Sequence, residues 1–197
     1  EEAKARAKKL MEEKIPVSIA KLENQHLLMF YTSLYAMGVN ALLVAKEGEE
    51  YHIQLEELVK RRDPEKLPEG KVWVENPALH LTAIYLMQEM RGQPVKEMSG
   101  KMKELQEEIA SHFGKGRYII PVQTEDNGMP VIKLSTGAVF QPLFTDILEF
   151  QKFNRENKCK PAVVEAAKIP QMLPKEAGGV IINPMGVNMP LTLNRKI

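Results

Sequence analysis

Residues Lys101–Val122 read KMKELQEEIASHFGKGRYIIPV. Met102, Leu105, Ile109 and Phe113 recur every three or four residues, the interval that lines one face of a helix, so the spacing predicts an amphipathic helix over 101–113. Gly114 is expected to close it. Gly114-Lys115-Gly116 is the nearest thing to a phosphate loop, but it lacks the Gly-Lys-Ser/Thr ending and follows a helix instead of opening one. It therefore reads as a helix cap and tight connection. Ile119-Ile120-Pro121-Val122 is extended by its β-branched residues and proline. The same order occurs near the start of the chain: Ala3, Ala7, Leu10 and Met11 give helical spacing over Glu1 to Glu13, followed by Ile15-Pro16-Val17-Ser18.

Outward from these two stretches the parallel continues. Leu28-Met29-Phe30-Tyr31-Thr32-Ser33 is matched by Gln141-Pro142-Leu143-Phe144-Thr145-Asp146, each read as an apolar strand ending in a hydroxyl residue and a helix-capping residue. Leu42-Leu43-Val44 is matched by Ala162-Val163-Val164, Leu67-Pro68 by Leu173-Pro174, and Val72-Trp73-Val74-Glu75-Asn76-Pro77 by Val180-Ile181-Ile182-Asn183-Pro184. The separations are about 105 residues at the two ends and about 120 in the middle, as loop-length differences inside a duplicated unit would give. A hairpin is predicted in the second half, where Ile132 and Leu134 follow Asp126-Asn127-Gly128 and Ser135-Thr136-Gly137 turns the chain before Val139-Phe140. In the first half, Leu55, Leu58 and Val59 predict a longer helix within Gly48 to Asp63. The fold class expected is α/β or α+β, a mixed sheet flanked by helices, with the unit internally duplicated and its second copy beginning near residue 101.

Composition restricts the functions open to such a chain. Of 197 residues, 44% are hydrophobic and 27% charged, the balance of a globular protein with a real core. Lys+Arg number 27 against Asp+Glu 26, and basic runs such as Lys60-Arg61-Arg62-Asp63 are diluted by acids, so the electrostatic footprint of a nucleic-acid binder is missing. No apolar run reaches the ~18 to 20 residues that cross a bilayer. Residues Glu1 to Lys14 lack the apolar centre of a signal peptide, and the chain begins without Met, so an upstream segment is expected. The single cysteine, Cys159, excludes an internal disulfide framework and fits a reducing compartment. The expected setting is cytoplasmic.

The second-half strings at Ile120 to Val122, Pro142 to Asp146, Met172 to Pro174 and Gly178 to Gly186 (Gly-Gly-Val-Ile-Ile-Asn-Pro-Met-Gly) together resemble the N-terminal domain of the bacterial SseB (enhanced serine sensitivity) family. That domain tends to open with Asn-Pro and a Leu, and Glu75-Asn76-Pro77-Ala78-Leu79 is similar to such a start. The resemblance implies a complete unit over 76–197, with linking helices over 76–113, preceded by a divergent unit over 1–75 that lacks its opening helix. Leu79, Ala83, Leu86 and Met90 follow Asn76-Pro77 at helical spacing. The resemblance further implies small cytoplasmic domains, often in tandem, whose biochemical activity is undefined.

The candidate site residues each have a structural reading. Thr145-Asp146 could be a catalytic pair, yet Asp146 with Glu149 three residues on is a helix-capping signature worth about 1 kcal/mol, and Ser33 is expected to cap in the first half. Asn183, Pro184, Met185 and Asn188 form a polar loop after a buried strand, where sheet proteins place binding groups, and Asn-Pro followed by Gly186 is also a turn in its own right. These four, with Thr145 and Asp146, are the candidate ligand- or partner-binding residues. His26, His52, His80 and His112 never fall three or four apart, so neither a metal site nor a cofactor is expected. Lys158 and Lys160 flank Cys159 and could lower its pKa, but no histidine lies near it in sequence. Eleven methionines, among them Met87, Met90, Met98, Met102, Met185 and Met189, fill cores or present partner surfaces. The expectation is a non-enzymatic protein that binds a protein partner or itself, with Met185, Val187 and Met189 as a tail interface. The alternatives are a sensor of a small, amino-acid-like metabolite and an enzyme dependent on Cys159.

Overall fold

The computed structural model describes residues 1–15, 17–60, 63, 66–92 and 99–194. Pro16, Arg61, Arg62 and Met98, on which some of the readings above fall, lie outside them. The chain is α/β in the sense expected, with a mixed sheet between helices.

The helix predicted from the opening stretch is α5 (Gly100–Lys115). Its N-cap is Ser99, whose hydroxyl accepts from Met102 N at 3.2 Å. Met102, Leu105, Ile109 and Phe113 are its buried face. The helix runs through Gly114, and the chain turns at Gly116 instead. α4 (Pro77–Gly92) begins immediately after Asn76 and packs beside α5 with Leu79, Ala83 and Leu86 inward.

These two helices cover one face of the strands. β3 (Arg117–Gln123) pairs antiparallel with β6 (Cys159–Glu165). β4 (Ile132–Lys133) and β5 (Val139–Leu143) form the expected hairpin. β5 also pairs parallel with β7 (Gly179–Ile182), and β7 pairs antiparallel with β8 (Met189–Thr192). A bridge between Ile119 and Phe144 joins the two groups of strands, with Ile119 N to Phe144 O at 3.0 Å and Phe144 N to Ile119 O at 2.9 Å. Period-two alternation divides the side chains. Tyr118 and Ile120 of β3, Leu143 of β5, and Val180 and Ile182 of β7 enter the main core with α4 and α5. Ile119 and Phe144 point the other way, against Phe150 of α6 (Ile147–Phe153) and against Val74. Phe144 meets Phe150 edge-on at a centroid distance of 5.6 Å. The second face is closed by this aromatic group. A short 3-10 turn (Ala166–Lys168) and α7 (Ile169–Met172) complete the main core with Ala166, Ile169 and Leu173.

The first half is not built as a copy of the second. Residues 28–33 are helical, within α2 (Asn24–Ala36), and not the strand expected. Ser33 therefore caps nothing; its hydroxyl donates to Phe30 O one turn back, at 2.7 Å. β1 (Ala41–Lys46) is the strand expected at Leu42-Leu43-Val44, but it pairs with β2 (Glu49–Gln54) across a two-residue turn in which Glu47 and Gly48 both have positive φ. The helix expected within Gly48 to Asp63 shrinks to the single turn α3 (Leu55–Leu58), because β2 occupies its first half. Val72-Trp73-Val74 forms no strand. α1 (Glu2–Glu12) is the opening helix predicted, and Glu2 Oε1 accepts from Glu47 N at 3.0 Å. The core of this half is small: Leu34, Leu55 and Val59, with Tyr31, Tyr35 and Leu42 packed around them.

Candidate functional site

Asp146 is the N-cap of α6, and its Oδ1 accepts from Leu148 N at 2.9 Å and Glu149 N at 3.0 Å. The capping signature is thus half realised. Glu149 does not reach back; its Oε1 is bonded by Lys152, and its Oε2 is buried without a partner among the described residues. Gly186 lies over this carboxylate so closely that a Cβ there would sit 2.5 Å from Oε2. The Asn-Pro-Met-Gly loop therefore closes on α6, which its spacing alone did not reveal.

Thr145 and Asn183 meet directly beside Asp146. The Thr145 hydroxyl donates to Asp146 Oδ2 at 2.7 Å and accepts from Asn183 Nδ2 at 2.8 Å, while Asn183 Oδ1 accepts from Thr145 N at 3.0 Å. The loop is held through the same asparagine: Asn183 N donates to Leu143 O, and Asn183 O accepts from Gly186 N and Asn188 N. The turn reading of Asn183-Pro184-Met185-Gly186 is correct, and Asn183 and Asn188 both take positive φ. So three of the six candidate residues, Thr145, Asp146 and Asn183, come together as one hydrogen-bonded unit. All three are at most 2% exposed. Pro184 is half-buried, and Met185 and Asn188 face outward from the loop. Val187 and Met189, expected with Met185 as a tail interface, are in the main core.

His80 is the member that sequence reasoning missed. It lies on the first turn of α4, 2% exposed, with Nδ1 at 3.4 Å from the Thr145 hydroxyl and 3.8 Å from Asp146 Oδ2, and Nε2 at 3.4 Å from Asn183 Nδ2. The Ala36 carbonyl at the end of α2 also lies near the ring and favours its protonated form. Burial pushes the imidazole pKa below its ordinary value, outweighing the nearby Asp146 and Glu149 carboxylates that pull it upward. The only hint in the sequence was a histidine at the third position after Pro77 in a helix otherwise apolar on that face. Asn76 adds a clamp, donating through Nδ2 to Arg117 O at 2.7 Å and Thr145 O at 2.9 Å.

Chemically, this cluster can join elements but meets no solvent. A Thr, His and Asp lie together, yet the hydroxyl already donates to the carboxylate and the imidazole is at the long limit of a hydrogen bond. Among the described residues no group of three or more His, Cys, Asp or Glu is placed to hold a metal ion. Cys159 is half-buried at the start of β6, and burial raises its thiol pKa, the opposite of activation by flanking lysines. Among the described residues no helix is long and apolar enough to cross a membrane. No protein-family model, curated protein or solved structure matches the chain.

Proposed function

We propose that this chain is a non-enzymatic, cytoplasmic SseB-like protein that works by association, with a protein partner or a second copy of itself, through the surface of α2 and the β1–β2 hairpin. The observation that carries this reading is where apolar side chains remain exposed. On α2, Leu28 and Met29 are 69% and 73% exposed, and on one face of the hairpin the cross-strand pair Val44 and Tyr51 are 40% and 50% exposed. Both elements flank the same small core, and apolar side chains left exposed beside it mark an interaction surface. By contrast, the polar groups that might have done chemistry are enclosed. The near balance of Lys+Arg and Asp+Glu supports a protein partner over a nucleic acid. A reducing setting agrees with the single cysteine.

The test is the double substitution Leu28→Glu and Met29→Glu. Both side chains point to solvent, so unfolding free energy should stay within about 0.5 kcal/mol of the parent. Association, followed by light scattering over a concentration series and by capture of proteins on the immobilised chain, should be lost. A parent protein that is monomeric throughout, with capture unchanged by the substitutions, would overturn the proposal.

A further inference from the structure

A cavity of about 350 Å³ lies between the α6–β6 connection and the Asn-Pro-Met-Gly loop, on the side of the molecule away from the main core. That is the size range of a small-molecule site. Lys152, Arg155 and Lys158 line it, opposed by one lining carboxylate, Glu156. Two of the cations are already matched: Lys158 pairs with Glu156, and Lys152 with the buried Glu149 beneath. Arg155 makes no ion pair among the described residues. The cavity therefore carries one uncompensated guanidinium, the group whose planar fork fits a carboxylate with two parallel hydrogen bonds.

The connection that carries Arg155 is fixed at both ends. Asn154 clamps it internally, with Nδ2 donating to Cys159 O at 2.7 Å and Oδ1 accepting from Cys159 N at 2.9 Å. Thr124 fastens it from β3's end, its N–H and hydroxyl both donating to Lys158 O at 2.9 Å. Asn157 takes the positive φ that the tight return requires. Such a loop fixes the backbone at Arg155 before anything binds, so that only the side chain remains to be ordered on recognition. Pro130, Phe153 and Met185 supply apolar lining to the same cavity.

We propose that this cavity binds a small organic carboxylate, its carboxylate on Arg155 and its apolar body against Phe153, Pro130 and Met185. The site is separate from the association surface and does not depend on it.

Cys159 also lines the cavity and is the chain's one cysteine, so its alkylation reports on this place alone. Iodoacetate and iodoacetamide are similar in size and differ in charge; the ratio of their rates cancels the thiolate fraction, and referring it to the unfolded chain cancels their intrinsic reactivities. In the folded protein the iodoacetate-to-iodoacetamide ratio should exceed that of the urea-unfolded chain about fivefold, the factor one unit charge contributes at roughly 4 Å in water. Arg155→Ala should return it to the unfolded value and Arg155→Lys should leave it intermediate, with far-UV circular dichroism unchanged in both. Phenylacetate should slow iodoacetamide in the parent and not in Arg155→Ala. A ratio equal to that of the unfolded chain, or one indifferent to Arg155, overturns the proposal. Protection by inorganic phosphate as strong as that by phenylacetate reassigns the cavity to bare anions and overturns the organic carboxylate. Should Cys159 resist both reagents, phenylacetate titration by NMR decides, and shifts that persist in Arg155→Ala, or no shifts at all, count against the site.

Discussion

Asn183 meets three requirements that few residues meet together. Its backbone is in the left-handed region, its carbonyl closes the turn, and its amide both donates to and accepts from Thr145. Its neighbour His80 has a consequence for acid stability. Burial holds the imidazole pKa below the unfolded value of about 6.5, against the pull of Asp146 and Glu149 and with Lys152 adding to the depression. As pH falls below that unfolded value, the unfolded chain takes up the proton first, so stability declines until the folded pKa is passed; above about pH 7 the histidine contributes nothing to the slope. Urea unfolding between pH 8 and pH 5 should show this decline, and His80→Gln should flatten part of it. Equal pH slopes in the parent and the variant would refute the assignment. The Asp146 cap was legible in sequence because capping involves residues two and three positions apart. The partners of His80 are 65 and 103 residues away, and no local rule reaches them.

Among the elements, strands and helices with clear periodicity form as expected, and the departures fall where the first half parallels the second in sequence but not in structure. Leu27 to Tyr31 is a continuous apolar run that fits a strand or a buried helix equally, and its alignment with the Gln141–Asp146 stretch favoured the wrong one. The chain takes the helix, where Leu34 and Ala36 are buried while Leu28 and Met29 stay outside. Glu47-Gly48 is a weaker hairpin signal than Asn-Gly, so the residues of β2 by themselves fit the start of a helix as well as a strand. Gly179 shows how closely elements pack. Gly179 begins β7 where the β8 backbone crosses it, and a Cβ there would collide with the Leu191 carbonyl and Thr192 Cα. Because that obstacle is backbone, it cannot rotate aside. Gly179→Ala should cost about 3 kcal/mol and lower the melting temperature by roughly 10 °C. Differential scanning calorimetry gives both numbers, and a parent-like melting curve would show that β8 can shift freely.

Across the whole molecule, the two halves rest on cores of unequal size. The main core unites α4, α5 and α7 with β3, β5, β6, β7 and β8, whereas α2, α3 and the β1–β2 hairpin rest on three buried residues. An isolated two-stranded hairpin is marginal in water, and its partners here are few. Native-state amide exchange should therefore be faster in β1–β2 than in β5 and β7, by a factor set by the difference between local opening and global unfolding. Uniform protection across both would mean that the halves unfold as one. The halves meet where α2 packs on α4, Gly38 lying close against the Pro77 carbonyl and Leu81, and the end of α2 lying near the His80 ring.

By itself the sequence determined the fold class, the α4–α5 helices, the strands β3 to β7 except for their partners, the β4–β5 hairpin and the Asp146 cap. Each of these rests on periodicity or on groups a few residues apart. Only the tertiary structure decided that the two halves differ, that Thr145, Asp146 and Asn183 close on His80 out of reach of solvent, and that Arg155 faces a cavity. Those outcomes depend on which distant segments exclude water from one another, and burial of that kind is a property of the folded chain, not of any stretch within it.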